Sequence, residues 1–222
     1  MENIKELSFN KYTALSTLSI TLCSSFFLLL VRMKLAHSFH YSFLMWNLFL
    51  AVIPYAITTY LKRIPKRETL SLMLWLCGWL LFLPNAPYIV TDFVHLKYNH
   101  SNYFWLDALV ISAFALSGLL LFYFSLLDFN KIIAKKLNTE KANYLSILVL
   151  FASAFGVYLG RFFRYNSWDI VSNPANLFID IANLLVNPEY MKESWIFTIT
   201  FGVFLCGGFW VFKTLEQQKR PH

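Results

Sequence analysis

FWLDALVISAFALSGLLLFYFSLL, residues 104–127, holds a single charged residue, Asp107. A helix needs about 20 mostly apolar residues to cross the hydrocarbon core of a bilayer, and this run exceeds that. Five further runs have the same character, at roughly 12–31, 41–61, 69–90, 144–163 and 195–212. The sequence therefore predicts six transmembrane helices. Composition agrees: 58% of the 222 residues are hydrophobic and 14% charged, where a soluble domain carries roughly 25% charged residues. That balance excludes a soluble enzyme and a disordered chain.

The third run is the least regular, because Pro84 and Pro87 should kink or break it near its end. The first follows Lys5 and Lys11 in the manner of a signal peptide, but it is as long as a span. Arg32-Met33-Lys34 follows it, with no clear small-residue cleavage site, so it is expected to be retained. Cys23, Cys77 and Cys206 each sit inside an apolar run with no CxxC pair and read as small hydrophobes. With no internal repeat and no long linker, residues 1–222 form one all-α membrane domain.

Lys and Arg fall in short clusters between the runs, 13 on one side and 6 on the other. The positive-inside rule places both termini in the cytoplasm and the segments near 32–40, 91–103 and 161–194 outside. This asymmetry accounts for the net charge of +7 without nucleic acid. On the fifth run Ala152, Gly156 and Gly160, spaced by four, offer a face for close helix approach, and Arg164 continues the stripe.

Two outer segments are dense in polar and aromatic residues. In LPNAPYIVTDFVHLKYNH, residues 83–100, Asn85 suits a helix cap and Pro87 a first turn. Tyr88, Thr91, Asp92 and His95 then share one helical face. In GRFFRYNSWDIVSNP, residues 160–174, Arg161, Arg164, Asn166 and Asp169 arrive as the fifth span ends. Asp107, at the start of the fourth span, lies at the same level. Downstream, Asn173-Pro174 starts a helix over 174–187 whose Asn176, Asp180, Asn183 and Asn187 draw one polar stripe. At roughly 20 Å it is too short to span, so an interfacial or re-entrant position is expected.

LPNAPYIVTDFVHL and GRFFRYNSWDI resemble the two signature stretches of a bacterial membrane-protein family, domain of unknown function 1361. The resemblance runs from the second span through the short outer helix. It implies a multi-pass bacterial inner-membrane protein and supplies no activity. Tyr165 stands where the family pattern leads one to expect Trp.

The chemistry these residues suggest is a polar site on the extracytoplasmic face. Asp92, His95 and Asp169 are its candidate catalytic groups, and Asn85, Tyr88, Arg161, Arg164 and Asn166 its candidate ligand-binding groups. Arg161 and Arg164 suit a phosphate or carboxylate, so the expected ligand is anionic or lipid-linked. Asp92 and His95, with His37, His40 and His100 in predicted outer loops, also offer oxygen and imidazole ligands to a metal. DxxH pairs are common by chance, and the sequence fixes neither metal nor cofactor. The plain alternative for the second motif is an Arg164–Asp169 ion pair, with Arg161 snorkelling to headgroups.

No GxSxG elbow, outer-loop cysteine or phosphate-binding glycine loop is present. Whether the protein is an enzyme stays open. Two further classes stand beside the ligand site. One is a small-solute transporter, disfavoured by charge-free span centres, with Pro54 the only midplane kink. The other is an accessory protein docking a membrane partner, with Trp105, Trp168 and Trp195 as interfacial anchors.

Overall fold

The computed structural model describes residues 2–64, 68–98, 103–186 and 188–218. Of residues 2–13, 98, 185–186 and 188–190 it gives the backbone path alone. His100, Ser101, Asn187, Lys66, Arg67, Lys219 and Arg220 lie outside the described residues. Among those described there is no strand. The helices are α1 (Glu2–Ala36), α2 (Phe43–Arg63), α3 (Thr69–Phe82), α4 (Asn85–Tyr88), a 3₁₀ helix (Ile89–Tyr98), α5 (Phe104–Lys136), α6 (Thr139–Phe162), α7 (Asp169–Ser172), α8 (Pro174–Val186) and α9 (Pro188–Gln218). Six stretches are long and apolar enough to cross a membrane, and the protein is a multi-pass membrane protein.

Helix α5 is the axis of the bundle. It packs against α1, α2, α6, α4 and the 3₁₀ helix, while α9 lies mainly along α6 and α3 along α2. Lipid tails give apolar helices no hydrophobic reason to associate, so packing and hydrogen bonds must hold them. Both are present. Ser25 Oγ and Ser117 Oγ are 3.0 Å apart between α1 and α5. Trp79 Nε1 donates to Ser125 Oγ at 2.8 Å, and Thr58 Oγ1 lies 3.2 Å from that same oxygen, tying α3, α5 and α2.

Ion pairs tie the two ends of the bundle. At one end Lys62 meets Asp128 at 2.7 Å and Lys131 pairs with Glu216. We call this the lysine-rich end. At the other, the site end, Arg32 Nε donates to Asp107 Oδ1 at 2.7 Å, with the two side chains 2% and 1% exposed.

Several helices outrun their apolar windows. Helix α1 continues to Ala36, so Arg32, expected in a loop, is a buried helical residue. Helix α5 runs on to Lys136, because residues 128–136 include neither Gly nor Pro to stop it. Helix α9 begins at Pro188 rather than near 195, a residue whose fixed φ suits the first helical position. Helix α8 begins likewise on Pro174, and its Leu177 and Leu184 are buried.

The third span breaks where its prolines stand. Helix α3 ends at Phe82, and the chain continues through α4 into ten residues of 3₁₀ helix, where runs beyond three or four are uncommon. Asn85 does not cap the start of α4 with its side chain. Its Nδ2 donates backwards to Phe82 O at 2.9 Å, satisfying a carbonyl that the proline break leaves free. Glycines let this broken segment sit deep in the bundle. A Cβ on Gly118 would meet Ala86 O at 2.7 Å, and one on Gly156 would meet Pro84 Cγ at 2.6 Å.

Candidate functional site

Asp92, on the 3₁₀ helix, is a deeply buried polar group at the site end, 1% exposed. Its Oδ2 accepts from Asn47 Nδ2 of α2 at 3.0 Å. Its Oδ1 accepts from Arg161 Nη2 of α6. Arg161 Nε donates to Thr91 Oγ1 at 2.8 Å, and that hydroxyl donates to Tyr88 O at 2.7 Å. The guanidinium lies over the Tyr88 ring, 4.4 Å from its centroid. An arginine held by a carboxylate, a hydroxyl and an aromatic face has little rotamer freedom left. No described residue accepts a hydrogen bond from its Nη1.

This geometry needs the Gly156–Gly160 face. A Cβ on Gly160 would stand 3.3 Å from Tyr88 Cε2, so the bare backbone lets the Tyr88 ring lie against α6, one residue from Arg161. The two polar segments therefore meet. A second tie fixes them: Asn85 Nδ2 donates to Ser167 Oγ at 2.8 Å, and Ser167 Oγ donates to Leu81 O at 3.0 Å.

His95 comes one 3₁₀ turn after Asp92, with Nε2 3.9 Å from Asp92 Oδ1, beyond hydrogen-bond range. Its ring is 33% exposed and lies 4.9 Å from the Phe43 ring and 6.5 Å from the His40 ring, centroid to centroid. His40 thus approaches the site, whereas His37 ends α1 in a left-handed conformation, φ 46°. Among the described residues no three His, Cys, Asp or Glu side chains stand together as ligands for one ion. Both Asp92 oxygens are taken by donors, which weakens the Asp92–His95 metal hypothesis.

Arg164 and Asp169 do not form the expected pair. Arg164 is exposed, in the left-handed region at φ 61°, two residues past the end of α6. There the chain turns back so that Tyr165 N–H donates to Leu159 O at 3.4 Å. Glycine normally fills such a position, and no described residue hydrogen-bonds the Arg164 side chain. Of the two arginines only Arg161 lies over the Tyr88 ring, and Arg164 follows it by three residues at the same end of the bundle.

Asp169 serves its own turn. It accepts from Asn166 N at 2.6 Å and from Ser172 Oγ at 3.1 Å, closing the turn that leads into α7, whose N-terminus has no side-chain cap. Asn166 adds a long contact to it at 3.5 Å. Neither joins the Asp92 cluster. Beside them, Tyr165 OH donates to Asp180 Oδ2 of α8 at 2.6 Å. This bond and the nearby Asp180 charge push the tyrosine pKa up to about 12.

The family model described as "Protein of unknown function (DUF1361)" matches residues 46–207. The chain belongs to that family. No curated protein and no solved structure matches the chain. The matched region of this DUF1361 chain runs from α2 to α9 and contains Asn47, Asp92, Arg161 and Arg164. It excludes Arg32, although that residue repeats the pattern of Arg161: a guanidinium on a buried aspartate and 4.7 Å over the Tyr41 ring.

Asn47 and Arg32 are the site-end residues that sequence reasoning missed. Asn47 left a signal, as the lone amide in FLMWNLFLAVIP, residues 43–54. A polar side chain with no polar neighbour inside a span needs a partner from another helix.

Proposed function

We propose that this membrane protein binds an anionic, phosphate- or carboxylate-bearing ligand linked to a lipid, at the site end of the bundle. The observation that carries the proposal is Arg161, lying over the Tyr88 ring and fixed by a buried carboxylate, with Arg164 three residues on, exposed and without a hydrogen-bond or ion-pair partner among the described residues. A fixed arginine with an unused N–H edge supplies preorganised donors to an anion. Arg164 supplies the charge that Asp92 neutralises on Arg161. Asp92, with both oxygens engaged, is a positioning residue. The half-exposed His95 is the group that could exchange a proton with a bound ligand.

The lysine balance of the loops supports placing the site end outside the cytoplasm, with both termini inside, in a bacterial inner membrane. Transport is the weaker hypothesis, since the hydrogen-bonded node midway between the ends, Ser25 and Ser117, is uncharged. The exposed Trp105, Trp168 and Trp195 suit interfacial anchoring as well as partner docking, and favour neither.

Dodecyl phosphate titrated into the protein in dodecyl maltoside tests the proposal. Thermal stability should rise with the phosphate amphiphile. Arg164→Gln, which disturbs no observed contact, should weaken the effect about tenfold, the scale of one charge-assisted hydrogen bond. Equal responses of wild type and Arg164→Gln would refute the assignment.

A further inference from the structure

A groove between α6 and α9 opens on the outer surface of the bundle, and the Asp92–Arg161 cluster takes no part in it. Phe162, Lys192, Glu193, Ile196, Phe197 and Thr200 line it. Lys192, Ile196 and Thr200 follow one another at i, i+4 and i+8, so they form one rail along α9. The rail spans roughly 12 Å at 1.5 Å per residue. Lys192 lies three residues before Trp195, where the apolar run of α9 begins.

Polarity along the rail falls steeply. Lys192 and Glu193 are both exposed at the mouth, and neither forms a salt bridge with a described residue. Below them Ile196 is 54% and Phe162 49% exposed. Phe197 backs the groove, 5.5 Å from the Phe162 ring and 5.6 Å from that of Tyr158. Thr200 ends the groove, its hydroxyl donating back to Ile196 O at 2.7 Å within α9. The groove is therefore a charged mouth over an apolar body, with a cation and an anion side by side at the mouth.

We propose that this groove binds a zwitterionic aminophospholipid, with one acyl chain along the Ile196–Thr200 rail. Lys192 takes the phosphate, and Glu193 takes the ammonium of the headgroup. An anionic phospholipid would satisfy Lys192 but face Glu193 with like charge. Charge complementarity at the mouth thus selects a headgroup carrying both signs.

Native mass spectrometry of the full chain in detergent, titrated with dioctanoyl phosphatidylethanolamine and dioctanoyl phosphatidylglycerol, reads this directly. The ethanolamine lipid should bind about threefold tighter, the scale of an exposed ion pair. Glu193→Gln should abolish that preference, and Lys192→Gln should weaken both lipids by a similar factor. Ile196→Trp, at a lipid-facing position, fills the groove and should weaken both while leaving thermal stability unchanged. Equal binding to wild type and Ile196→Trp, or a preference for the glycerol lipid, would overturn the proposal. Arg164→Gln, which disturbs no observed contact, should leave this selectivity intact, so the groove and the arginine site succeed or fail separately.

Discussion

Asp92 and Arg161 show what a charge costs inside a bundle and what repays it. Asp92 is 1% exposed and Arg161 16%, so each needs the other. Removing one partner of a buried pair leaves an uncompensated charge, at a cost of about 3–5 kcal/mol. Arg161→Gln and Asp92→Asn should each lower thermal stability in detergent by this order. The double substitution should recover part of the loss, and a fully additive double mutant would contradict a direct pair. Arg164 behaves oppositely. A non-glycine residue in the left-handed region costs about 1–2 kcal/mol, so Arg164→Gly should stabilise the fold slightly while weakening anion binding. A loss of stability would mean that the arginine holds the turn through contacts of its own.

Among the elements, the broken third span shapes the site, and glycines admit it. A Cβ on Gly118 meets a backbone carbonyl, on Gly156 a proline ring, and on Gly160 the edge of a tyrosine at the looser distance of 3.3 Å. Overpacking of this kind costs about 1–3 kcal/mol where nothing can move aside. Melting temperatures should therefore fall most for Gly118→Ala, less for Gly156→Ala and least for Gly160→Ala. Among the described residues helix α8 has one side-chain hydrogen bond to another element, Tyr165 to Asp180, besides its packing on α9 and α7. The tie is present below the ordinary tyrosine pKa of about 10 and is lost as pH rises through about 12. Tyr165→Phe should give at neutral pH the faster backbone hydrogen exchange over 174–186 that wild type shows only in strong alkali. Unchanged exchange would show that Leu177 and Leu184 alone hold the helix.

For the whole molecule, the six spans and the interposed α8 were legible, because long apolar runs and a short amphipathic one declare themselves locally. So were the prolines that end α3 and the polar residues of both outer segments. Helix ends were not. Arg32 and Asp128 look like loop charges in the sequence, yet one joins Asp107 and the other Lys62, and such pairings depend on which helices become neighbours. The same holds for Asn47, which only the packing of α2 against the 3₁₀ helix brings to Asp92. Asp169 stands apart from the Asp92 cluster, its hydrogen bonds made within its own turn, and a carboxylate at a helix start and one in a site look alike until the fold assigns their donors.

The proposed function requires both polar segments to face one phosphate-bearing ligand. The most direct measurement is photocrosslinking of the full chain in detergent with an alkyl phosphate whose chain carries a diazirine near the headgroup, mapped by peptide mass spectrometry. Labelling on residues 85–95 and 161–168 together, suppressed by excess dodecyl phosphate and by Arg164→Gln, is the predicted result. Labelling spread along the lipid-facing helices, insensitive to both, would contradict it.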